Sequence, residues 1–75
     1  MRLTREQRIV RDAIEQCVIS AKRFGHFKTR SKIASFAHGF FQVLSRDEPG
    51  VERLSAEFAN GVIAAFDIEN ERRTA

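Results

Sequence analysis

Tryptophan and tyrosine are absent from these 75 residues, and cysteine, methionine and proline occur once each. The single Cys17 excludes an intramolecular disulfide, so the chain is no disulfide-stapled scaffold, and a lone thiol suits a reducing compartment. No apolar run approaches the ~20 residues that span a bilayer. Arg2, Arg5, Arg8 and Arg11 crowd the first residues with no apolar stretch behind them, which is unlike a secretory leader. These features lead to the expectation of a cytoplasmic protein without a membrane partner.

The residues of catalysis and metal binding are equally sparse. His26 and His38 stand apart in sequence, no His/Cys grouping has metal-ligand spacing, and no Gly-rich phosphate loop is present. Cys17 brought beside a histidine would make a nucleophilic pair, but it falls in the middle of an apolar stripe, where a lone cysteine is more often a small core residue. The carboxylates spread along polar faces, where solvation accounts for them. We therefore expect no catalytic residues, no metal, no cofactor and no small-molecule substrate.

What is present is helical periodicity. Thr4 and Gln7 are spaced as a capping box, and Ile9, Val10, Ala13, Ile14, Cys17, Val18, Ala21 and Phe24 then recur on one face until Gly25 supplies a stop. This predicts a helix over about 4–24. Thr29 or Ser31 can cap a second helix over about 30–45, whose apolar positions Ile33, Ala34, Phe36, Ala37, Phe40, Phe41, Val43 and Leu44 cover about half its circumference, as a central helix packed on two neighbours would require. Asp47, Glu48 and Pro49 suit the first turn of a third helix over about 48–68, with the stripe Val51, Leu54, Phe58, Val62, Ala65 and Phe66. Glu69 would interrupt that stripe, so the chain beyond it reads as a frayed polar tail, with the domain over 1–70 and the tail over 71–75. The fold class expected is an all-α compact three-helix bundle. A chain this short buries only ~60% of its unfolded surface, and with disulfides and metals missing the expectation for extra stabilisation turns to self-association, most simply a homodimer.

Two groups of residues invite a functional reading. Seven phenylalanines are present, five of them at 24, 27, 36, 40 and 41. A small helical core can absorb several; a cluster left partly exposed would grip a partner. The other face of the second helix, with Ser35, His38, Gly39 and Gln42, carries no charge, and a mid-helix glycine such as Gly39 or Gly61 is explained by close packing, either within the monomer or against another chain. The expected protein interface is thus Phe27, Phe36, His38, Phe40 and Phe41. The second group is Lys22, Arg23, Lys28, Arg30 and Lys32, with no acid between them. Residues 1–32 hold nine Lys/Arg against three acids, and residues 33–75 hold four against seven, so the chain reads as electrically two-ended.

The leading expectation is a non-catalytic interaction module, an adaptor, regulator or stoichiometric inhibitor, that docks on a larger protein through the Phe-rich surface while the basic turn steers it. The alternative is a nucleic-acid-binding regulator in which the basic turn holds phosphates and a neighbouring ring stacks on a base. The alanine and glycine spacing of a helix-turn-helix does not line up around Gly39 or Gly61.

Overall fold

Three helices account for nearly the whole chain in the structure, a computed structural model that describes residues 2–74. The first, α1 (Arg5–Arg23), begins as the sequence expects: the Gln7 backbone N–H donates to Thr4 Oγ1 at 3.1 Å, and the Thr4 N–H donates to Gln7 Oε1 at 2.9 Å. Each bond occupies a backbone donor that the first turn of a helix leaves without a partner. At the far end Gly25, at φ +76°, reverses the chain, while the His26 N–H donates to the Ala21 carbonyl and the Gly25 N–H to that of Lys22. That pair of bonds is a Schellman motif, and the left-handed residue it needs is the glycine.

The motif exchanges the roles of two phenylalanines. Phe24, placed on the apolar stripe of α1 by periodicity, is the last residue before the reversal and is 67% exposed. Phe27, which the chain reaches after doubling back, is 6% exposed and packs edge-on against Phe66, with ring centroids 5.3 Å apart. Lys22 Nζ covers its ring at 5.3 Å, a cation–π contact. Phe27 was expected at the interface; the fold has used it as core.

Thr29 caps α2 (Arg30–Asp47) by accepting from the Lys32 N–H at 3.1 Å. The expectation that Asp47, Glu48 and Pro49 open the third helix is corrected. Proline disfavours the helical conformation of the residue before it, so Glu48 is extended at φ −126° and ψ 86° and ends α2 instead. Gly50, at φ +103°, turns the chain into a 3-10 helix (Val51–Leu54), and its N–H donates to Glu52 Oε2 at 2.7 Å. This short turn delivers Val51, fully buried, to the core beneath α1 before α3 (Ser55–Thr74) begins. The tail expectation is corrected too: helix continues to Thr74, with Glu69 tied to Lys22 and Arg72 and Arg73 complementing the dipole of the last turn. Ala75 lies outside the described residues.

The core is Val10, Ala13, Cys17 and Ala21 of α1, Phe27, Ile33 and Ala37 of the turn and α2, and Val51, Phe58, Val62 and Phe66. The central helix is α3 rather than α2, because α1 and α2 each pack more extensively on α3 than on one another. Gly61 explains the closeness on the α1 side: a Cβ there would stand 2.4 Å from Ile14 Cδ1. The bundle measures 37 × 28 × 18 Å, so its thin dimension is about two helix diameters and its broad faces have no further layer over them.

Candidate functional site

With one layer uncovered, the surplus apolar residues of α2 fall at its flanks. Ile33 and Ala37 are buried, Phe36, Phe40, Phe41 and Leu44 are partly buried, and Ala34 and Val43 are exposed. Phe40 and Phe41 both rest on Phe58, at centroid distances of 5.9 and 5.1 Å, so each ring packs on the core while part of its surface stays exposed. Phe36 sits further along, stacked on His26 at 5.0 Å with the rings 16° from parallel.

On the α3 flank of α2 these residues open a groove of about 200 Å³ lined by Ala34, Ala37, His38, Phe41, Ser55, Phe58, Ala59 and Ile63. No member of that lining is charged. The sequence around it is uncharged over Ile33–Ser45 of α2 and over Phe58–Phe66 of α3. Along α2 that is thirteen residues, about 20 Å of helix at 1.5 Å per residue. His38 stands at the rim, exposed, with Gln42 Nε2 donating to its Nε2 at 3.2 Å. Gly39 is beside it in open space, with nothing within 4 Å of where its Cβ would be. Packing within the monomer therefore explains Gly61 and does not explain Gly39. Sequence periodicity found Phe41 and His38 as candidates but missed Ala59 and Ile63, which only the antiparallel pairing of α2 and α3 brings opposite them. Ile63, an aliphatic residue outside the Val51, Leu54, Phe58, Val62, Ala65 and Phe66 stripe, was the available signal.

The basic residues divide. Arg30 is committed to Asp67 through two hydrogen bonds, Nε to Oδ1 at 3.1 Å and Nη2 to Oδ2 at 2.5 Å. This fork holds the Asp67 carboxyl below its ordinary range, first by hydrogen bonding, and raises the Arg30 pKa for the same reason. Lys22 is committed to Glu69 Oε1 at 2.6 Å. Both bridges tie the turn to α3. Arg23, Lys28 and Lys32 have no acidic partner among the described residues and are exposed.

The linear charge asymmetry does not survive folding. Because α1 and α3 run from the same end, Arg2, Arg5 and Arg8 come to lie with Asp47, Glu48 and Glu52, and Arg5 Nη2 bridges Glu48 Oε2 at 3.0 Å. That end, taken as residues 2–8 and 46–57, holds five Lys/Arg and five acids. The turn end, residues 22–32 and 67–73, holds seven Lys/Arg against three acids. A single basic end results, and α3 has added Arg72 and Arg73 to it.

The one thiol is placed as structure. Cys17 is fully buried in the core, and burial pushes its thiol up to about 11. Among the described residues no three His, Cys, Asp or Glu side chains gather into a metal set, and no helix is long and apolar enough to cross a membrane. Compared with models of protein families, with curated proteins and with solved structures, the chain matches none, so its function must be argued from its own geometry.

Proposed function

We propose that the chain is a small non-catalytic interaction module, an adaptor, regulator or stoichiometric inhibitor, that docks on a larger protein by seating one of that partner's helices in the α2–α3 groove. One observation carries this reading: the groove and the helix surface beside it are apolar or neutral throughout, on a bundle whose α1 face is dressed with Arg8, Arg11, Asp12 and Glu15. A solvated helix face is normally charged, and an uncharged one in a concave setting is what an amphipathic partner helix fills. Ala34 and Ala59 in the groove and Gly39 beside His38 let a partner backbone approach closely, the partly buried Phe41 lines the groove, and His38 and Gln42 supply hydrogen bonds at the rim.

A second copy of the chain can cover the same face groove to groove, which accounts for the homodimer expected of so small a core. The net positive turn end steers encounter with an acidic partner. A lone, buried, un-ionised thiol suits the cytoplasm.

The test is affinity capture from cell extract with the wild-type chain, Ala59→Glu, His38→Glu and, as a control on the opposite face, Arg11→Glu. All three positions are exposed, so the variants should keep the wild-type helical melt. A bound protein lost with Ala59→Glu and His38→Glu but retained with Arg11→Glu supports the groove. Identical captures from all four chains would refute it.

A further inference from the structure

The turn end of the bundle carries an inference that goes beyond docking at the groove. Three separated stretches of chain converge there: the end of α1, the connection with the start of α2, and the last turn of α3. Two depressions meet at Gly25. One, of about 630 Å³, is lined by Phe24, Gly25, His26, Ser31, Lys32, Ser35 and Phe36, and the other brings Lys28 beside Arg73. The acids of this end are already engaged, Asp67 by Arg30 and Glu69 by Lys22, and Glu71 has a partner of its own. Arg23, Lys28, Lys32, Arg72 and Arg73 are left exposed without an acidic partner among the described residues. The first turn of α2 adds no acid to offset them.

Charge alone would suit any polyanion, and the aromatic residues narrow the choice. Phe24 is the most exposed of the large hydrophobic residues, at 67%, and stands among these cations rather than in the apolar groove. Its exposure follows from the Schellman reversal, which uses Phe27 for the core and leaves the Phe24 ring outside. Beside it the stacked rings of His26 and Phe36 line the same depression. Rings set among cations match a strand that alternates flat bases with phosphates, and an unpaired base is required, because paired bases keep their faces stacked within the duplex.

We infer that the turn end binds single-stranded nucleic acid, with Arg23, Lys28, Lys32, Arg72 and Arg73 on phosphates and Phe24 stacking on a base. The site lies apart from the α2–α3 groove, so one chain can hold a strand and a protein helix together.

The experiment is fluorescence anisotropy with labelled oligo(U), oligo(dT) and a DNA duplex, each of about 12 nucleotides or base pairs, titrated with the full chain at about 50 and about 150 mM salt. Saturable binding is expected, weakening about 50-fold across that threefold rise in salt if five phosphates are contacted, at a slope of roughly −0.7 per contact on a single strand. Lys28→Glu combined with Arg73→Glu should flatten the slope and weaken binding more than about tenfold. Phe24→Ala should weaken binding about tenfold with the slope unchanged, as lost stacking does. Ala59→Glu should leave oligonucleotide binding intact, so that failure here and failure of the groove reading are separate results. The inference is overturned by absence of saturable binding at the lower salt, by tighter binding of duplex than of single strand, by charge reversal without effect, or by Phe24→Ala binding as wild type. Each variant is checked by circular dichroism melting, and both classes of position are exposed, so a folded variant is expected in every case.

Discussion

Alanine in place of Gly61 sets two known effects against each other, and the structure decides the sign. Helix propensity alone favours alanine at a mid-helix position by about 1 kcal/mol. Against that, the new Cβ would lie 2.4 Å from Ile14 Cδ1, 3.2 Å from Cγ1 and 3.6 Å from Cγ2. Carbon atoms in contact sit about 3.5–4.0 Å apart, so Cδ1 must move. As the tip of a flexible side chain it can rotate away, at about 0.5–1.5 kcal/mol for a displaced rotamer. Cγ1 is held closer to the backbone, and relieving it means parting α1 from α3 by a few tenths of an ångström along a seam that includes Val10, Cys17 and Val62. Overpacking of this kind costs about 1–3 kcal/mol. The steric cost exceeds the propensity gain, and Gly61→Ala should destabilise the fold by about 1 kcal/mol.

Ile14→Val provides the cross-check, since it removes Cδ1 and leaves both Cγ atoms. Alone it should cost about 0.5–1.5 kcal/mol. In that background only the Cδ1 clash is gone, so Gly61→Ala should cost about 0.5–1.5 kcal/mol less than in the wild-type chain, a favourable coupling of that size. Urea unfolding followed by circular dichroism reads this directly: at about 1 kcal/mol per molar urea, the single Gly61→Ala midpoint should fall by about 1 M. A raised midpoint for Gly61→Ala in the wild-type chain, or strict additivity of the two substitutions, would show that α1 and α3 do not meet here.

Phe58, 1% exposed beneath Phe40 and Phe41, should cost about 3–5 kcal/mol on truncation to alanine, whereas Phe24→Ala should stay within about 0.5 kcal/mol; equal thermal shifts in the two variants would contradict the burial described. Cys17, its thiol raised from 9.0 to about 11 by burial, should resist a disulfide reagent at neutral pH until urea is added. The unfolded chain ionises first, so the stability gained by keeping this thiol neutral is complete below pH 9 and is lost as pH rises towards 11; a flat alkaline profile in the wild type would argue against that burial. Asp67 shows the opposite sign, because Arg30 holds its carboxyl low: the pair's contribution is present above the ordinary carboxylate pKa and disappears as pH falls through the lowered value. Asp67→Asn should make the acid limb of the stability profile shallower, with an unchanged limb as the adverse result.

Much of the fold is legible in residues that act within a few positions of themselves. The Thr4–Gln7 box, the Thr29 cap and the Gly25 stop each satisfy or reverse backbone a turn away, so the sequence alone located α1 and the start of α2. The same local logic led astray at Asp47–Glu48–Pro49, where cap and dipole preferences suit a helix start but the proline restricts Glu48 and closes the helix already running; Val51, which must reach the core under α1, then requires the extra 3-10 turn. Ile19 falls among the charged positions of α1 on a helix wheel, between Asp12 and Lys22, so its 50% exposure was legible. The exchange of Phe24 and Phe27 was not, since both are apolar beside one turn and only the packing of Phe66 against the returning chain selects between them.

Both candidate surfaces depend on segments far apart in the chain. The groove requires Ala59 and Ile63 opposite His38 and Phe41, and the basic end requires Arg73 beside Lys28. Composition established that the chain is helical, poor in chemical groups and rich in phenylalanine, because period and residue type are local quantities. Which phenylalanine is core, which glycine marks a close approach and where net charge accumulates were decided by the antiparallel threading of three helices, which sets each side chain's neighbours independently of their distance in sequence.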